Sequence, residues 1–370
     1  MMVQKYIRAC VEIDTHALRH NLAVLQKKSV SAEILTILKS NAYGHGLVRV
    51  AKALSNAKGF GVAYLSEALA LRQAGITQRI VLLEGCFSEN EYLIASQQSL
   101  DVVIHNAEQL NWFINSIQLQ PLTIWLKINT GMNRLGFAIS HIPKVWQILN
   151  ACPFVKEIVV MSQLAFASQP SHAITLSQIG KFQTIVDNFQ QQGYAFKKSL
   201  ASSAALLTQP SITYDWVRPG LSLYGVSPIL ESLASDYSLQ PVMTLRAKII
   251  AIQNPQKGEI IGYQARYACQ ASKRIGVVSI GYGDGYPQNA PDGTPVFVNN
   301  GYVPIIGQVS MDMLTIDLST QPKTKIGDSV TLWGKNLPIE KIAYHTQRST
   351  YELLCGIERE INQRLEIALQ

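Results

Sequence analysis

The sequence lacks the features of secreted, membrane-spanning and metal-binding proteins. Its five cysteines are odd in number, widely scattered and without a CxxC pair, so neither a disulfide framework nor a zinc site is predicted. No apolar run reaches the length needed to span a bilayer. Residues 1–9 carry polar and charged side chains without an apolar signal core. We therefore expect a cytoplasmic protein that has no bound metal.

Charge is also sparse and unclustered. Charged residues make up 15% of the 370 residues, and the formal net charge is +7. The basic residues are spread along the chain and do not gather with aromatic residues, as a nucleic-acid-binding surface would require. We interpret the excess of positive charge as a solvated face with some attraction for small anions. Neither nucleic acid nor a membrane is an expected partner.

The first part of the chain alternates between β-prone runs and helical segments. Segments with helical spacing, such as 66–74, 107–114 and 176–191, lie between the runs. Eight alternating units predict an α/β fold, a closed parallel (β/α)8 barrel of the TIM type over residues 1–235. The eight predicted strands are 33–38, 59–64, 80–84, 101–105, 122–128, 156–161, 196–201 and 214–217.

After about residue 235, strand follows strand with only turn signals between them, which predicts a mainly-β domain over residues 236–370. Helices are expected at 338–345 and 357–369. An early β-prone run at 9–13 precedes Asp14, a suitable N-cap for a helix over 17–27, and the first 12 or so residues are candidates to pair with the second domain. No low-complexity segment separates the domains, so we expect rigid packing. The predicted strands are 243–252, 258–267, 274–280, 294–298, 303–310, 313–318 and 329–333.

The stretch 33–46 brings a lysine to the end of the first predicted barrel strand. Lys39 is followed by small residues and two glycines, which allow a sharp turn before helical spacing begins at Leu47. Catalytic groups of barrel enzymes lie at the carboxyl ends of strands. A lysine desolvated there can lose its proton and form a Schiff base with an aldehyde. A surface lysine beside a turn fits these residues as well.

Other barrel strands also end in polar or glycine-rich segments. The fifth leads into Arg134, the sixth ends at Gln163, the seventh runs into Ser203 and the eighth into Arg218 and Gly220. Hydroxyls and glycine amides after strands seven and eight are suitable for binding a phosphate. A lysine across the barrel mouth from such a cradle suggests pyridoxal phosphate. Taken singly, these residues are also typical of ordinary turns.

Seven ordered segments resemble the signatures of the alanine racemases, a family of pyridoxal-phosphate-dependent enzymes of fold type III. The resemblance covers nearly the whole chain and both predicted domains. It implies a barrel followed by a carboxyl-terminal β domain, and a homodimer whose subunits share active sites. The segments are 39–46, 127–136, 217–225, 262–267, 281–286, 309–313 and 351–355.

The resemblance assigns roles in proton transfer and cofactor binding. Lys39 would carry pyridoxal 5'-phosphate as an aldimine and exchange the α-proton on one face of the amino acid, while Tyr267 of the partner subunit would serve the opposite face. Arg218 would face the pyridine nitrogen with Gln163 beside it. The residues implied for the phosphate are Tyr43, Ser203, Gly220, Leu221 and Tyr351.

The resemblance also assigns the substrate-binding groups. Arg134 and the backbone of Met311 would hold the carboxylate of the amino acid. Lys127 is a candidate for carbamylation, because the carbamate would orient Arg134, whereas an unmodified lysine would repel it.

Several positions depart from the family pattern. Gln163 and Leu164 stand where histidine and phenylalanine are usual; the glutamine can accept a hydrogen bond from Arg218 but loses the aromatic face. The departures bear on cofactor affinity, rate and substrate range more than on reaction type. The others are Ser40, Asn129, Ser202, Gln264, Gln288 and the tail 360–362.

The expected reaction is the interconversion of L-alanine and D-alanine, which would supply D-alanine for peptidoglycan. A racemase of broader specificity, acting on serine or lysine, is the enzyme alternative. A pyridoxal-phosphate carrier protein is the non-enzyme alternative. Such a carrier shares the barrel and the lysine but lacks a β domain, so Tyr267 and Met311 argue against it.

Overall fold

The computed structural model describes residues 8–116 and 120–357, and its larger part is a barrel. After a first strand, β1 (Ala9–Ile13), eight parallel strands pair in chain order, and the last also pairs with the first of the eight. The predicted closed barrel is confirmed, and every strand lies within two residues of its predicted bounds. The strands are β2 (Glu33–Ile37), β3 (Gly59–Val62), β4 (Arg79–Leu82), β5 (Asp101–Ile104), β6 (Leu122–Lys127), β7 (Val155–Met161), β8 (Lys197–Ser202) and β9 (Trp216–Arg218).

Helices connect the barrel strands and pack against them. The first helix, predicted over 17–27, extends two residues further at each end, from Thr15 to Ser29. Its predicted N-cap is confirmed, because the Asp14 carboxylate accepts hydrogen bonds from the N–H groups of His16 and Ala17, both at 2.9 Å. Its buried face includes Leu18, Leu22 and Leu25. The helical segments of this domain are α1 (Thr15–Ser29), α2 (Lys39–Tyr43, a short turn of left-handed backbone), α3 (Leu47–Ala53), α4 (Leu65–Gln73), α5 (Glu89–Gln97), α6 (Ala107–Asn115), α7 (Ile142–Ala151), α8 (Ala173–Gln191) and α9 (Ser203–Thr208).

The second domain is built on a seven-stranded antiparallel sheet. Six of its strands lie in the order β15 (Gly301–Pro304), β14 (Pro295–Val298), β17 (Ser329–Trp333), β10 (Met243–Gln253), β13 (Ile275–Val278) and β16 (Leu314–Asp317). The seventh member is β1, which pairs with β10 from Ala9 opposite Ala247 to Ile13 opposite Met243. Residues 9–13 therefore add a strand to the carboxyl-terminal sheet. The elements are β10 (Met243–Gln253), β11 (Ile260–Ile261), β12 (Tyr267–Ala268), β13 (Ile275–Val278), β14 (Pro295–Val298), β15 (Gly301–Pro304), β16 (Leu314–Asp317), β17 (Ser329–Trp333), α10 (Ile339–Thr346) and α11 (Thr350–Cys355).

Two predicted strands of this domain are wrong. In place of a strand over 258–267, β11 and β12 form a small separate hairpin, because Gly262, Gln264 and Ala265 adopt positive φ and turn the chain. The strand expected over 303–310 ends at Pro304, and Gly307 has a φ of 76°. The helix expected over 357–369 lies, apart from its first residue, outside the described residues. Helix α11 was not predicted.

The two domains share one apolar core. A single buried cluster contains residues from the barrel helices, the connection between the domains and the β sheet, among them Leu18, Val242 and Trp333. Such shared burial holds the barrel mouth in a fixed relation to the second domain. Within residues 8–116 and 120–357, no helix is long and apolar enough to cross a membrane.

Candidate active site

Lys39 opens a backbone turn of unusual conformation. The four residues that follow, 40–43, all have φ between 52° and 55°. Left-handed conformation costs a non-glycine residue roughly 1–2 kcal/mol. Two side chains hold the turn: Asn41 Oδ1 accepts from the Leu47 N–H at 2.9 Å, and Glu67 Oε1 accepts from the Asn41 N–H at 3.3 Å. Strain maintained by specific contacts next to a lysine points to a functional position.

A cluster of aromatic side chains packs against this turn. His45 is fully buried, its Nδ1 lies 2.8 Å from the Tyr43 carbonyl, and its ring packs on Tyr224 with centroids 4.4 Å apart. Burial lowers the pKa of His45 to about 4, so the ring is neutral. The Tyr43 ring lies 5.8 Å from that of Tyr351. Burial raises the pKa of Tyr43, which keeps its hydroxyl protonated and able to donate.

A cavity of about 650 Å³ opens at the carboxyl ends of the barrel strands. Ten of the residues selected from the sequence line it, although they come from positions 39 to 351. Tyr267 and Met311 do not line it. The ten are Lys39, Tyr43, Lys127, Arg134, Gln163, Ser203, Arg218, Gly220, Leu221 and Tyr351.

Arg218 is buried at 5% exposure and surrounded by neutral oxygen acceptors. It donates to Ser199 Oγ at 2.5 Å, to the Ser162 carbonyl at 2.6 Å, to Gln163 Oε1 at 3.2 Å and to the Leu200 carbonyl at 3.3 Å. No carboxylate forms an ion pair with it within the described ranges. Burial lowers the pKa of Arg218 to about 10, so the guanidinium stays charged at neutral pH. The cavity therefore contains a fixed hydrogen-bond donor that carries a positive charge.

Lys127 is 8% exposed and lies among other cations. Burial, and then the charges of Arg218, Arg134 and Lys39, lower the pKa of Lys127 to about 8, against an opposing effect of Glu84. Its Nζ makes no hydrogen bond or ion pair with any described residue. An amine with this pKa is partly neutral at physiological pH.

The loop after β6 presents an arginine to the cavity. Asn129 organises it: Oδ1 accepts from the N–H groups of Gly131 at 3.0 Å and Asn133 at 3.1 Å, and Nδ2 donates to Asn133 Oδ1 at 2.9 Å. The asparagine therefore makes a contact, through Nδ2, that an aspartate could not make. Arg134 follows directly. Its side chain is exposed, and the backbone before it is held by the hydrogen bonds of Asn129.

The segments after β8 and β9 meet through a serine hydroxyl. Ser203 Oγ accepts from the N–H groups of Gly220 at 2.9 Å and Ser222 at 3.3 Å. A Cβ on Gly220 would lie 2.4 Å from Tyr43 Oη, so a larger residue at this position would displace the tyrosine or the loop. A hydroxyl, a phenol and glycine backbone thus converge at one side of the cavity.

Tyr267 and Met311 lie on the second domain. Tyr267 packs beside a small core of Ile261, Cys269, Ile275 and Ile306, and Lys273 Nζ is 5.9 Å from its ring centroid. Met311 is 56% exposed, and its N–H makes no hydrogen bond with any described residue. The structure therefore places both residues away from this chain's own cavity.

The polar residues of the site that were not selected from the sequence include Glu84 and Gln178. Glu84 lines the cavity at the end of a predicted strand, a position that could have been examined by the same rule as Lys39. Gln178, on α8, binds the segment that carries Gln163 and Ala165. Its helix position gave no signal, because a glutamine on a helix is usually solvated.

The fold and the cavity define a class: two-domain barrel proteins that bring a lysine and a buried arginine to the carboxyl ends of the strands. Family models agree with both domains, matching the alanine racemase N-terminal domain over residues 13–228 and the C-terminal domain over residues 242–365. The chain belongs to the alanine racemase family.

Individual relatives are similar over almost their whole length. The alanine racemase of Shewanella woodyi is 44% identical over 344 residues, 93% of this chain and 95% of the relative. The crystal structure of the biosynthetic alanine racemase from Pseudomonas aeruginosa has a TM-score of 0.91 at 39% identity, covering 95% of this chain and 98% of that one. The alanine racemase from Acinetobacter baumannii has a TM-score of 0.90 at 36% identity, with the same coverage.

Proposed function

We propose that the protein is an alanine racemase that interconverts L-alanine and D-alanine with pyridoxal 5'-phosphate as cofactor. One observation carries the proposal: Arg218, buried and without a carboxylate partner among the described residues, lines the same cavity as Lys39. In an enzyme of this chemistry the group that faces the cofactor ring nitrogen sets how strongly the ring withdraws electrons. A guanidinium only donates hydrogen bonds. Arg218 would therefore make the cofactor ring a weaker electron sink, which favours return of the proton to the α-carbon of the amino acid.

The cavity fits the proposed cofactor. The space that a Cβ on Gly220 would take beside Tyr43 is kept open by glycine, and Ser203 orients the neighbouring backbone. When bound, pyridoxal 5'-phosphate supplies an electrophilic carbonyl for an amine and an electron sink for the α-carbon. Arg218 and Gln163 would face its ring. The residues that would hold its phosphate are Tyr43, Ser203, Gly220, Leu221 and Tyr351.

Racemisation requires two proton-transfer groups on opposite faces of the α-carbon, because a single group would return the proton where it took it. Lys39 Nζ would serve one face. Tyr267 would serve the other, and since Tyr267 does not line this chain's own cavity, it would act in the cavity of a second copy. The proposal therefore includes a homodimer with shared active sites.

Substrate binding would use the positive loop after β6. Arg134 would pair with the carboxylate of the amino acid, and the Met311 N–H of the second copy, which makes no hydrogen bond within the described residues, would donate to it. Carbamylated Lys127 would replace a repelling cation beside Arg134 with an anion. The lowered pKa of Lys127 supports this, because carbon dioxide adds to a neutral amine.

The proposal also covers organisation and location. We place the domain boundary at 235/236. This boundary is in keeping with the family-model ranges and with the position of β10, the first strand of the seven-stranded sheet after the barrel, which begins at Met243. We place the protein in the cytoplasm, where its five free cysteines would remain reduced. There its D-alanine would supply peptidoglycan.

Two measurements test the proposal together. Borohydride reduction of the protein loaded with pyridoxal 5'-phosphate should attach the cofactor irreversibly to Lys39, and peptide mapping should find no label in Lys39→Arg. Chiral chromatography after incubation with L-alanine, L-serine or L-lysine should show the D-enantiomer of alanine above the others. A label on another lysine would contradict the site, and faster turnover of serine or lysine would favour a broader racemase.

A further inference from the structure

A buried glutamine outside the cavity joins two segments that belong to it. Gln178 is 1% exposed on α8. Its Oε1 accepts from the Ala165 N–H at 2.8 Å, and its Nε2 donates to the Gln163 carbonyl at 3.0 Å and to Thr130 Oγ1 at 3.3 Å. Gln163 and Ala165 line the cavity, and Thr130 lies in the loop that presents Arg134.

The donor directions in this network are fixed by chemistry. The Ala165 N–H can only donate and the Gln163 carbonyl can only accept, so the glutamine amide has one possible orientation. Ser162 Oγ donates to the Ile128 carbonyl at 2.7 Å. The hydroxyl of Thr130 must therefore donate to Ser162 Oγ, at 2.8 Å, and accept from the amide. One ordered chain of donors runs from the helix to the base of the arginine loop.

The same segment is held from its other side by Arg218. This arginine donates to the Ser162 carbonyl at 2.6 Å and to Gln163 Oε1 at 3.2 Å. Residues 162–165 are thus fixed between Arg218 and the amide of Gln178. Loss of the amide would leave a buried N–H, a carbonyl and a hydroxyl with one partner fewer, and they could recover partners only if the segment or the loop moved.

We propose that Gln178 is a positioning residue, which sets the Arg134 loop against the segment carrying Gln163 and thereby places the carboxylate-binding group. This inference rests on the proposed function for the role of Arg134. It adds a residue that touches neither substrate nor cofactor, and that acts through Thr130 and the 163–165 backbone.

The test compares two glutamines of the same helix. Gln178→Met removes the amide with little change of volume. Gln183→Met is the matched control. The Gln183 amide also bonds in both directions, donating to Asp187 Oδ1 at 2.7 Å and accepting from the Tyr214 hydroxyl at 2.8 Å, but neither of these partners lines the cavity. The probe is propionate, which is alanine without its amine, and its binding to the cofactor-loaded proteins is measured by calorimetry.

We expect Gln178→Met to weaken propionate binding and to raise KM for L-alanine by at least tenfold, with a smaller change in kcat. Gln183→Met should lower the melting temperature and leave both constants unchanged. Thr130→Val, which removes the hydroxyl that accepts from Gln178 and donates to Ser162, should weaken propionate binding at least threefold and less than additively with Gln178→Met. This variant decides the question if Gln178→Met does not fold.

The outcomes separate the inference from the proposed function. Unchanged propionate binding in Gln178→Met or Thr130→Val would overturn the inference, as would the absence of propionate binding by the unsubstituted protein. If that protein binds propionate in a manner that depends on Gln178 but does not racemise alanine, the positioning role stands and the proposed function falls.

Discussion

Replacing Lys127 by methionine distinguishes the charged and carbamylated states of this buried lysine. Its pKa falls from 10.5 to about 8 in the folded protein. A folded-state pKa below the unfolded value penalises the charged native state, so the cost is complete below about pH 8 and disappears as the pH rises toward 10.5. At 1.36 kcal/mol per pKa unit, the cost at pH 7 is about 3 kcal/mol. Lys127→Met should therefore increase the free energy of unfolding by a similar amount in buffer free of carbon dioxide.

Bicarbonate should reverse the comparison. With a pKa of about 8, about a quarter of the lysine is neutral at pH 7.5, compared with about a thousandth for an ordinary lysine. Carbon dioxide that adds to the native lysine alone stabilises the folded state by mass action. The gain in stability from Lys127→Met should shrink as bicarbonate is added, and native mass spectrometry should detect the adduct only when Lys127 is present.

The assay is urea unfolding of both proteins at pH 7, with and without bicarbonate. Equal free energies of unfolding for the two proteins in the absence of carbon dioxide would refute the electrostatic argument. A difference of about 3 kcal/mol that bicarbonate leaves unchanged, with no adduct on the native protein, would refute carbamylation alone.

Three further predictions concern single substitutions. Burial raises the pKa of Asp101 from 3.8 to about 6, so stability should fall as the pH rises between those values; Asp101→Asn, which keeps an acceptor for Trp125 Nε1, should flatten this dependence in urea titrations, and an unchanged slope would contradict it. Gly220→Ala places a Cβ 2.4 Å from Tyr43 Oη and should weaken cofactor binding at least tenfold by absorbance titration; unchanged affinity would rule out the close approach. Gln264→Gly relieves a φ of 58° and should raise the free energy of unfolding by less than about 1 kcal/mol, whereas a loss would show that the glutamine makes stabilising contacts.

The barrel could be predicted because its strands are local signals. Each is a run of mostly buried apolar residues between helical segments, and in β3, β4 and β5 burial is almost continuous along the strand. The second domain was less predictable, since β11 and β12 contain two residues each and depend on left-handed turns at Gln264 and Ala265. Neither residue type favours that conformation on its own.

The site was predictable where chemistry coincides with the end of a strand. Lys39 and Arg218 satisfy that rule, and both line the cavity. The left-handed turn after Lys39 could not be predicted, because Ser40, Ala42 and Tyr43 have no intrinsic preference for it. Contacts from distant residues such as Glu67 hold it. The contribution of Gln178 could not be predicted for the same reason, since its hydrogen-bond partners are separated from it along the sequence.

The most direct test of the two-base account is proton exchange by Tyr267→Phe in deuterated solvent. Tyr263→Phe is the control, because Tyr263 is a 68% exposed tyrosine of the same β11–β12 hairpin. The Tyr267→Phe variant should retain the cofactor and slow net racemisation by roughly a hundred to ten thousand times, the contribution of a positioned acid–base group. Deuterium should still enter the enantiomer handled by Lys39 and hardly enter the other. Equal exchange into both enantiomers at the rate of the unsubstituted protein would show that Tyr267 is not a proton-transfer group.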